Sequence, residues 1–508
     1  MDTIDKRTLI AIVLTLVVLI AYNYFFMQPA PQPQQDKAEK KAGEPAIKEP
    51  PPVSVPKEMP EHSPAKEILV ETGFYRATLT TRGGTIHDFI LKTYKDKEGR
   101  DVSLLKDQVV LSPLGLGTST EDFVLSRVDF SLQGSDLKLK AAESGSAIFT
   151  YVAPQFSIRR TYTFYGDRYQ IDLRDEVTGI HEYWITLGSD FGIHDPQDST
   201  APHVGPVILK DTDRIEVFPN KLDTPKDYRG GIRWVAQEDK YFFASIVPLG
   251  SVIEAKTWKA QNSAAVGLKV ASGVNQFIIY AGPKDYTRLQ ELKVGLEHII
   301  DFGFFSFLAR PLFWILKFFY GFLKNYGWAI VLLTLIVRIP FIPIINMGQK
   351  SMKRMQELQP KLNEIRERYK KDPQRIQKEM MELYKKYKVN PVSGCFPILL
   401  QVPVFFALYK VLMIAIELRG APFMFWIKDL STKDPYYVLP IIMGVTMVIQ
   451  QKMTPTSPDP RQNKIMMLMP VVFTFLFLNF ASGLVLYWLV NNVLSILQQI
   501  SANRKLPK

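Results

Sequence analysis

Arg338 stands alone in a run of apolar residues, with Leu332, Leu333, Leu335, Ile336, Val337, Ile339 and Phe341 around it. A guanidinium near the centre of a bilayer costs roughly 2.5–3.5 kcal/mol on insertion scales, so it should face water or a partner. The other apolar runs contain no Asp or Glu, and Glu417 comes only at the end of one of them. The chemistry open to Arg338 is therefore electrostatic attraction and hydrogen bonding, not ion pairing within its own bundle. The polar groups available are uncharged: Thr334, Gln401, Asn479, Ser482, Asn491, Asn492 and Ser495. Thr334 lies one helical turn before Arg338 and shares its face. A water-filled groove lined by these groups fits the inventory. The alternative is a side chain that snorkels to the headgroups near Asn346–Lys350. For Lys410, nearer a helix end, snorkelling is the preferred reading. With no acid or histidine in the runs, a proton-coupled transporter is disfavoured.

Other chemistries find little support. The single cysteine, Cys395, excludes an intrachain disulfide, and its expected role is packing. The six histidines include no HExxH arrangement. His194 and His203 flank a loop with Asp195 and Asp198, read as solvated side chains rather than metal ligands. Gly348-Gln-Lys-Ser351 resembles the end of a phosphate-binding loop, but Pro343 stands where its first glycine is needed. No catalytic residue, cofactor or metal is expected.

The elements that must position Arg338 follow from hydropathy. The 508-residue chain has a net charge of +12 and a mean hydropathy of −0.01, an average over apolar runs and ordinary soluble sequence. Spans of about twenty apolar residues cross a bilayer. The expected fold is a membrane α-helical bundle of six transmembrane helices, a large periplasmic antiparallel β-sandwich domain and a cytoplasmic helical hairpin. Its parts are an N-terminal anchor at 1–27, a Pro- and Lys-rich linker at 28–64 and the β-domain at 65–290. An interfacial amphipathic helix follows at 298–324, then transmembrane helix 2 at 326–348 and the hairpin at 349–390. Helix 3 at 393–417, a periplasmic loop at 418–435, helix 4 at 436–452 and a cytoplasmic loop at 453–464 come next. Helices 5 and 6, at 465–481 and 483–500, divide a long uncharged run at Ala481-Ser482-Gly483, and a short tail closes the chain at 501–508.

The β-domain is read from short β-rich runs, such as Ile158–Tyr165, Tyr169–Arg174 and Gln276–Tyr280, punctuated by Gly83-Gly84 and Gly230-Gly231. Met355, Leu358, Leu362, Ile365 and Tyr369 recur at spacings of three and four, as do Ile376, Met380, Leu383 and Tyr387 after Pro373. Two such helices make an antiparallel hairpin.

Charge sets the topology. Residues 350–388 hold thirteen Lys/Arg against six Asp/Glu, and such segments stay cytoplasmic. Were Phe302–Phe322 a span, this basic segment would lie on the side opposite the N-terminus. An interfacial helix keeps both inside, as well as the C-terminal tail, and leaves the β-domain outside. Much of the positive charge then serves topology and attraction to anionic lipid headgroups, not nucleic acid.

Several motifs carry a resemblance. Val389–Pro397, Gln401-Val-Pro403, Phe406–Tyr409, Asp434–Thr446, Gln451-Lys-Met453 and Ser482–Trp488 together resemble the YidC/Alb/Oxa insertase family over about residues 300–500. The large domain, with Tyr280–Asp285, is similar to the Gram-negative form. The resemblance implies five conserved core helices around a hydrophilic groove, with Arg338 and Thr334 at the family's arginine and threonine positions. Gln401 and Asn491, from the polar inventory above, would line the same groove with Trp488, which stands where the family has a tyrosine. Client helices would contact Pro397, Pro403, Phe405 and Leu476. It further implies insertion and folding of nascent membrane proteins in the bacterial inner membrane, with the Sec translocon, SecDF and translating ribosomes as partners, and an outer domain related to sugar-binding and mutarotase folds. The rival functions are a small-solute channel or transporter, and an outer mutarotase-like enzyme on an anchor.

Overall fold

The computed structural model describes residues 65–106, 110–120, 123–198, 200–370, 372–387, 389, 396–453 and 460–504. The expected anchor and linker at 1–64, Cys395, and parts of the 453–464 loop and the tail lie outside the described residues.

Two antiparallel-dominated sheets form the first half. One runs β4 (Asp101–Ser103), β3 (Thr85–Lys95), β2 (Tyr75–Thr80), β1 (Glu67–Glu71) and β7 (Leu137–Lys138). The larger sheet is built on β9 (Ser157–Tyr165), β10 (Gln170–Thr186), β15 (Phe242–Pro248) and β17 (Ser263–Pro283). The three sequence runs read as strands fall in β9, β10 and β17. Val70, Tyr75 and Phe89 of the small sheet share one buried core with Phe164, Leu173 and Ile279 of the large one, the packing of a sandwich. Alternation decides what enters that core: in β9, Ile158, Arg160, Tyr162 and Phe164 point inward. Arg160 is tolerated there because Asp175 lies directly opposite on β10 and accepts from its guanidinium at 2.9 and 3.3 Å. The carbonyls of Leu114 and Gly84 take further donors at 2.6 and 3.3 Å.

The second half is helical. α1 (Tyr286–Glu291) leaves the β-domain and α2 (Ser306–Leu323) follows. Then come α3 (Tyr326–Arg338), α4 (Ile342–Glu357), α5 (Gln359–Arg368) and α6 (Pro373–Lys386). The last four are α7 (Phe396–Ile414), α8 (Val438–Met453), α9 (Pro460–Phe477) and α10 (Ser482–Arg504). By length and composition Ser306–Leu323, Tyr326–Glu357 and Ser482–Ser501 are long and apolar enough to cross a bilayer; Gln401–Ile414, Val438–Met453 and Met467–Phe477 are shorter apolar stretches. The long uncharged run is interrupted between Phe477 and Ser482, where Ser482 N–H and Oγ donate to the Thr432 carbonyl at 2.7 and 2.9 Å.

Helical structure beginning at Tyr326 continues to Glu357 through a 3-10 turn at Ile339–Phe341, directly after Arg338. Pro340 and Pro343 lack the N–H groups that regular α-helical bonding would use there. The start of the expected hairpin, 349–357, thus belongs to α4, which continues from the expected second span, and the rest of its first helix is α5, set off by a turn at Leu358. α5 and α6 pack through Leu362, Met380 and Tyr384. Tyr384 takes the inward place expected of Tyr387, which is 39% exposed and whose hydroxyl bonds the Lys361 ammonium.

The two halves are joined by specific contacts. Ile416, just past α7, is buried in the β-domain core, and Tyr286 of α1 is buried with Phe302 and Phe313 of the bundle. Arg419 donates to the Lys95 carbonyl at 2.8 Å and lies over the Phe242 ring at 5.0 Å.

Candidate substrate groove

α3, α4, α7 and α10 enclose a cleft with an empty volume of about 410 Å³. Thr334, Val337 and Arg338 come from α3, Phe341 from the turn, Ile344 and Ile345 from α4, Gln401 and Val404 from α7, and Tyr487 and Asn491 from α10. Apolar walls and a few polar groups make it amphipathic.

Among the described residues, the hydrogen-bond partners of the Arg338 side chain all lie on α10. Its Nη1 donates to Asn491 Oδ1 at 2.5 Å and to the Asn491 carbonyl at 3.3 Å. Its Nη2 donates to Ser495 Oγ at 2.8 Å and Gln498 Oε1 at 3.2 Å. Residues 491, 495 and 498 are spaced by four and three, so they share one helix face and meet both arms of the fork. Gln498 in turn donates to Asn346 Oδ1 at 2.8 Å, tying α10 to α4. All of these acceptors are neutral, and among the described residues no carboxylate acts on the guanidinium. The positive charge is oriented without being neutralised.

The structure brings four of the expected groove residues together: Arg338, Thr334, Gln401 and Asn491. Thr334 contributes less than its type suggests, because its hydroxyl donates to the Ile330 carbonyl at 2.7 Å within its own helix and keeps only acceptor capacity. Trp488 is a correction. It does not line the cleft; its ring packs on Phe405, Phe477 and Phe473 at centroid distances of 5.0, 5.2 and 5.8 Å, and its buried Nε1 has no hydrogen-bond partner among the described residues. The preceding residue, Tyr487, faces the groove and bonds Gln401. A step of one residue turns a helix by about 100°, which suffices to exchange the two faces. Sequence reasoning missed Tyr487, Gln498 and Asn346; the 491–495–498 spacing was the available signal.

Of the expected client contacts, Phe405 is half-buried against Trp488 and Leu476 is 54% exposed. Pro403 lies inside α7, half-buried. Pro397 is in the first turn of α7, with its side chain outside the described residues. Lys410, read as snorkelling, instead pairs with Asp301 at 3.3 Å. His203 is buried, not solvated: its ring nitrogens lie 2.9 Å from Glu238 Oε1 and 3.1 Å from the Val217 carbonyl. Among the described residues no group of three His, Cys, Asp or Glu is placed to hold a metal ion.

Residues 67–315 match the family description "YidC periplasmic domain" and residues 318–508 match "60Kd inner membrane protein". A membrane protein insertase YidC from Syntrophus aciditrophicus is 39% identical over 99% of this chain and 100% of its own length. One from Geotalea uraniireducens is 41% identical over 99% of this chain and 100% of its own. The chain belongs to the YidC family. It therefore combines a periplasmic β-sandwich domain with the YidC membrane region of apolar helices. Among solved structures, an active YidC insertase with its first transmembrane domain resolved aligns over 96% of this chain and 97% of that one, at 19% identity and a TM-score of 0.40. A galactose mutarotase-like protein from Lactobacillus casei covers 43% of this chain and 100% of its own, at 9% identity and a TM-score of 0.29. Both global likenesses are too weak to place a helix or a ligand.

Proposed function

We propose that this protein is an inner-membrane insertase and chaperone for the transmembrane segments of other proteins, working through the Arg338 cleft without covalent chemistry. The observation that carries the reading is a guanidinium held, among the described residues, by neutral acceptors in an amphipathic cleft; relatives matched over their full length bear the name membrane protein insertase. A client's polar tail or short loop enters the cleft from the cytoplasm. Arg338 attracts a carboxylate on it, while Gln401, Asn491 and Tyr487 exchange hydrogen bonds. The client's apolar helix meanwhile slides along Phe405 and Leu476. Shortening the polar segment's path through hydrocarbon lowers its desolvation barrier. The client leaves sideways, because lipid is the favoured end state of its apolar helix.

The proposed topology has both termini and the hairpin in the cytoplasm, the β-domain in the periplasm, six spans counting the N-terminal anchor, and α2 lying in the interface. Nascent membrane proteins are the clients. The Sec translocon, SecDF, the translating ribosome and anionic headgroups at the hairpin are the proposed partners.

The test is insertion into liposomes containing the purified protein. Arg338→Ala should abolish insertion of acidic-tailed clients, and unchanged insertion would remove the charge-attraction step. Photocrosslinkers at 338, 405 and 476 should reach the nascent chain. Solute flux through the same liposomes, without helix insertion, would favour a channel instead.

A further inference from the structure

A second cavity, of about 280 Å³ empty volume, lies where the chain passes from the β-domain into α2. Its walls are Phe302, Phe304 and Phe305 on the approach to α2, and Phe406, Tyr409 and Lys410 on α7. The Phe305 and Phe406 ring centroids are 6.4 Å apart and the planes 13° from parallel, so these two rings stack on each other and brace the aromatic lining.

The rim is charged. Lys410 Nζ donates to Asp301 Oδ2 at 3.3 Å, and Asp301 Oδ1 accepts from the Gly303 N–H at 2.8 Å. Gly303 has φ 72°, and a Cβ there would come within 3.2 Å of Lys410 Cε, so glycine lets the lysine stem lie close against the turn. Arg310 is exposed, lies over the Phe302 ring at 6.0 Å and, among the described residues, forms no ion pair. Arg310 and Lys410 against Asp301 leave one excess positive charge beside an aromatic slot.

That pairing of an apolar slot with a cationic rim suits a ligand with one apolar and one anionic end. In the topology proposed above, the slot sits at the outer end of α7, level with the periplasmic headgroups. We propose that it binds an anionic phospholipid of the outer leaflet, with an acyl segment laid against the exposed Phe304 ring and the phosphate on Arg310. A guanidinium presents a planar fork that matches phosphate oxygens, and Phe302 helps to hold it in place. A zwitterionic lipid brings its own cation to the rim and gains less from Arg310. The proposal rests on that topology, but its readout is independent of insertion.

The experiment uses the purified full-length chain in liposomes with a diazirine-acyl phosphatidylglycerol probe, followed by mapping of labelled peptides. Labelling should concentrate on peptides containing 302–305 and 406–410. Arg310→Gln should lower it about tenfold, as loss of one hydrogen bond to a charged group implies, and Arg310→Lys should keep most of it. Asp301→Asn, which adds a net positive charge to the rim, should raise labelling and keeps the test open if Arg310→Gln folds poorly. Equal labelling by the phosphatidylcholine analogue would overturn the proposal. So would a pattern unmoved by both substitutions, or labelling spread evenly over the lipid-facing helices.

Discussion

At the scale of single residues, the central feature is a fork held by three side chains of one helix. Arg338→Lys preserves charge but reaches fewer acceptors than the planar group does. Insertion of acidic-tailed clients by this variant should fall between wild type and Arg338→Ala; equality with wild type would mean that charge alone matters. Tyr487 and Trp488 offer a cleaner comparison, since one faces the cleft and the other a ring cluster. Tyr487→Phe removes a hydrogen bond of about 1 kcal/mol, roughly a fivefold effect if it is made to the client-bearing state. Trp488→Phe removes an N–H that has no partner among the described residues. Insertion rates should drop several-fold for the first and stay within about twofold for the second, because the aromatic packing is largely retained.

At the scale of elements, the β9–β10 pair and the hairpin make separate predictions. Asp175→Ala strands the fully buried Arg160 charge. Removing one partner of such a pair costs about 3–5 kcal/mol, so heating of the purified protein should expose protease sites in the β-domain well before wild type. In the hairpin, Leu362 is wholly buried between α5 and α6. Leu362→Ala should cost about 2–3 kcal/mol and speed cleavage between Tyr369 and Pro373, with the β-domain unchanged.

At the scale of the whole molecule, stability at acid pH depends on a cluster deep in the β-domain. Glu238 is buried; burial alone would raise its pKa, but Arg214, Lys284 and His203 outweigh that and hold the carboxyl well below the usual 4.5. A carboxyl depressed on folding contributes stability that is fully present above its unfolded pKa and is lost as pH falls toward its folded value. Melting temperature should therefore decline as pH drops below about 4.5, and Glu238→Gln should flatten that decline while lowering stability at neutral pH. Between the halves, Arg419→Ala should raise hydrogen exchange around Lys95 and Phe242, because it removes the bond and the ring contact that join them.

Hydropathy and charge alone determined that this is a membrane protein with an outer β-domain, because burial in lipid and alternation in a sheet impose periods that survive in one dimension. The lone Arg338, its lack of a carboxylate among the apolar runs and the strand run Ile158–Tyr165 were legible in that way. Tertiary structure alone decided the partners. Asp175 meets Arg160 only through the register of β9 against β10. Asn491, Ser495 and Gln498 reach Arg338 from more than 150 residues away. Which of Tyr487 and Trp488 faces the cleft depended on the rotation of α10 about its axis. That rotation is set by packing against α3, α7 and α8, and along the helix only the polar stripe of Asn491, Ser495 and Gln498, with Tyr487 one turn before it, records it.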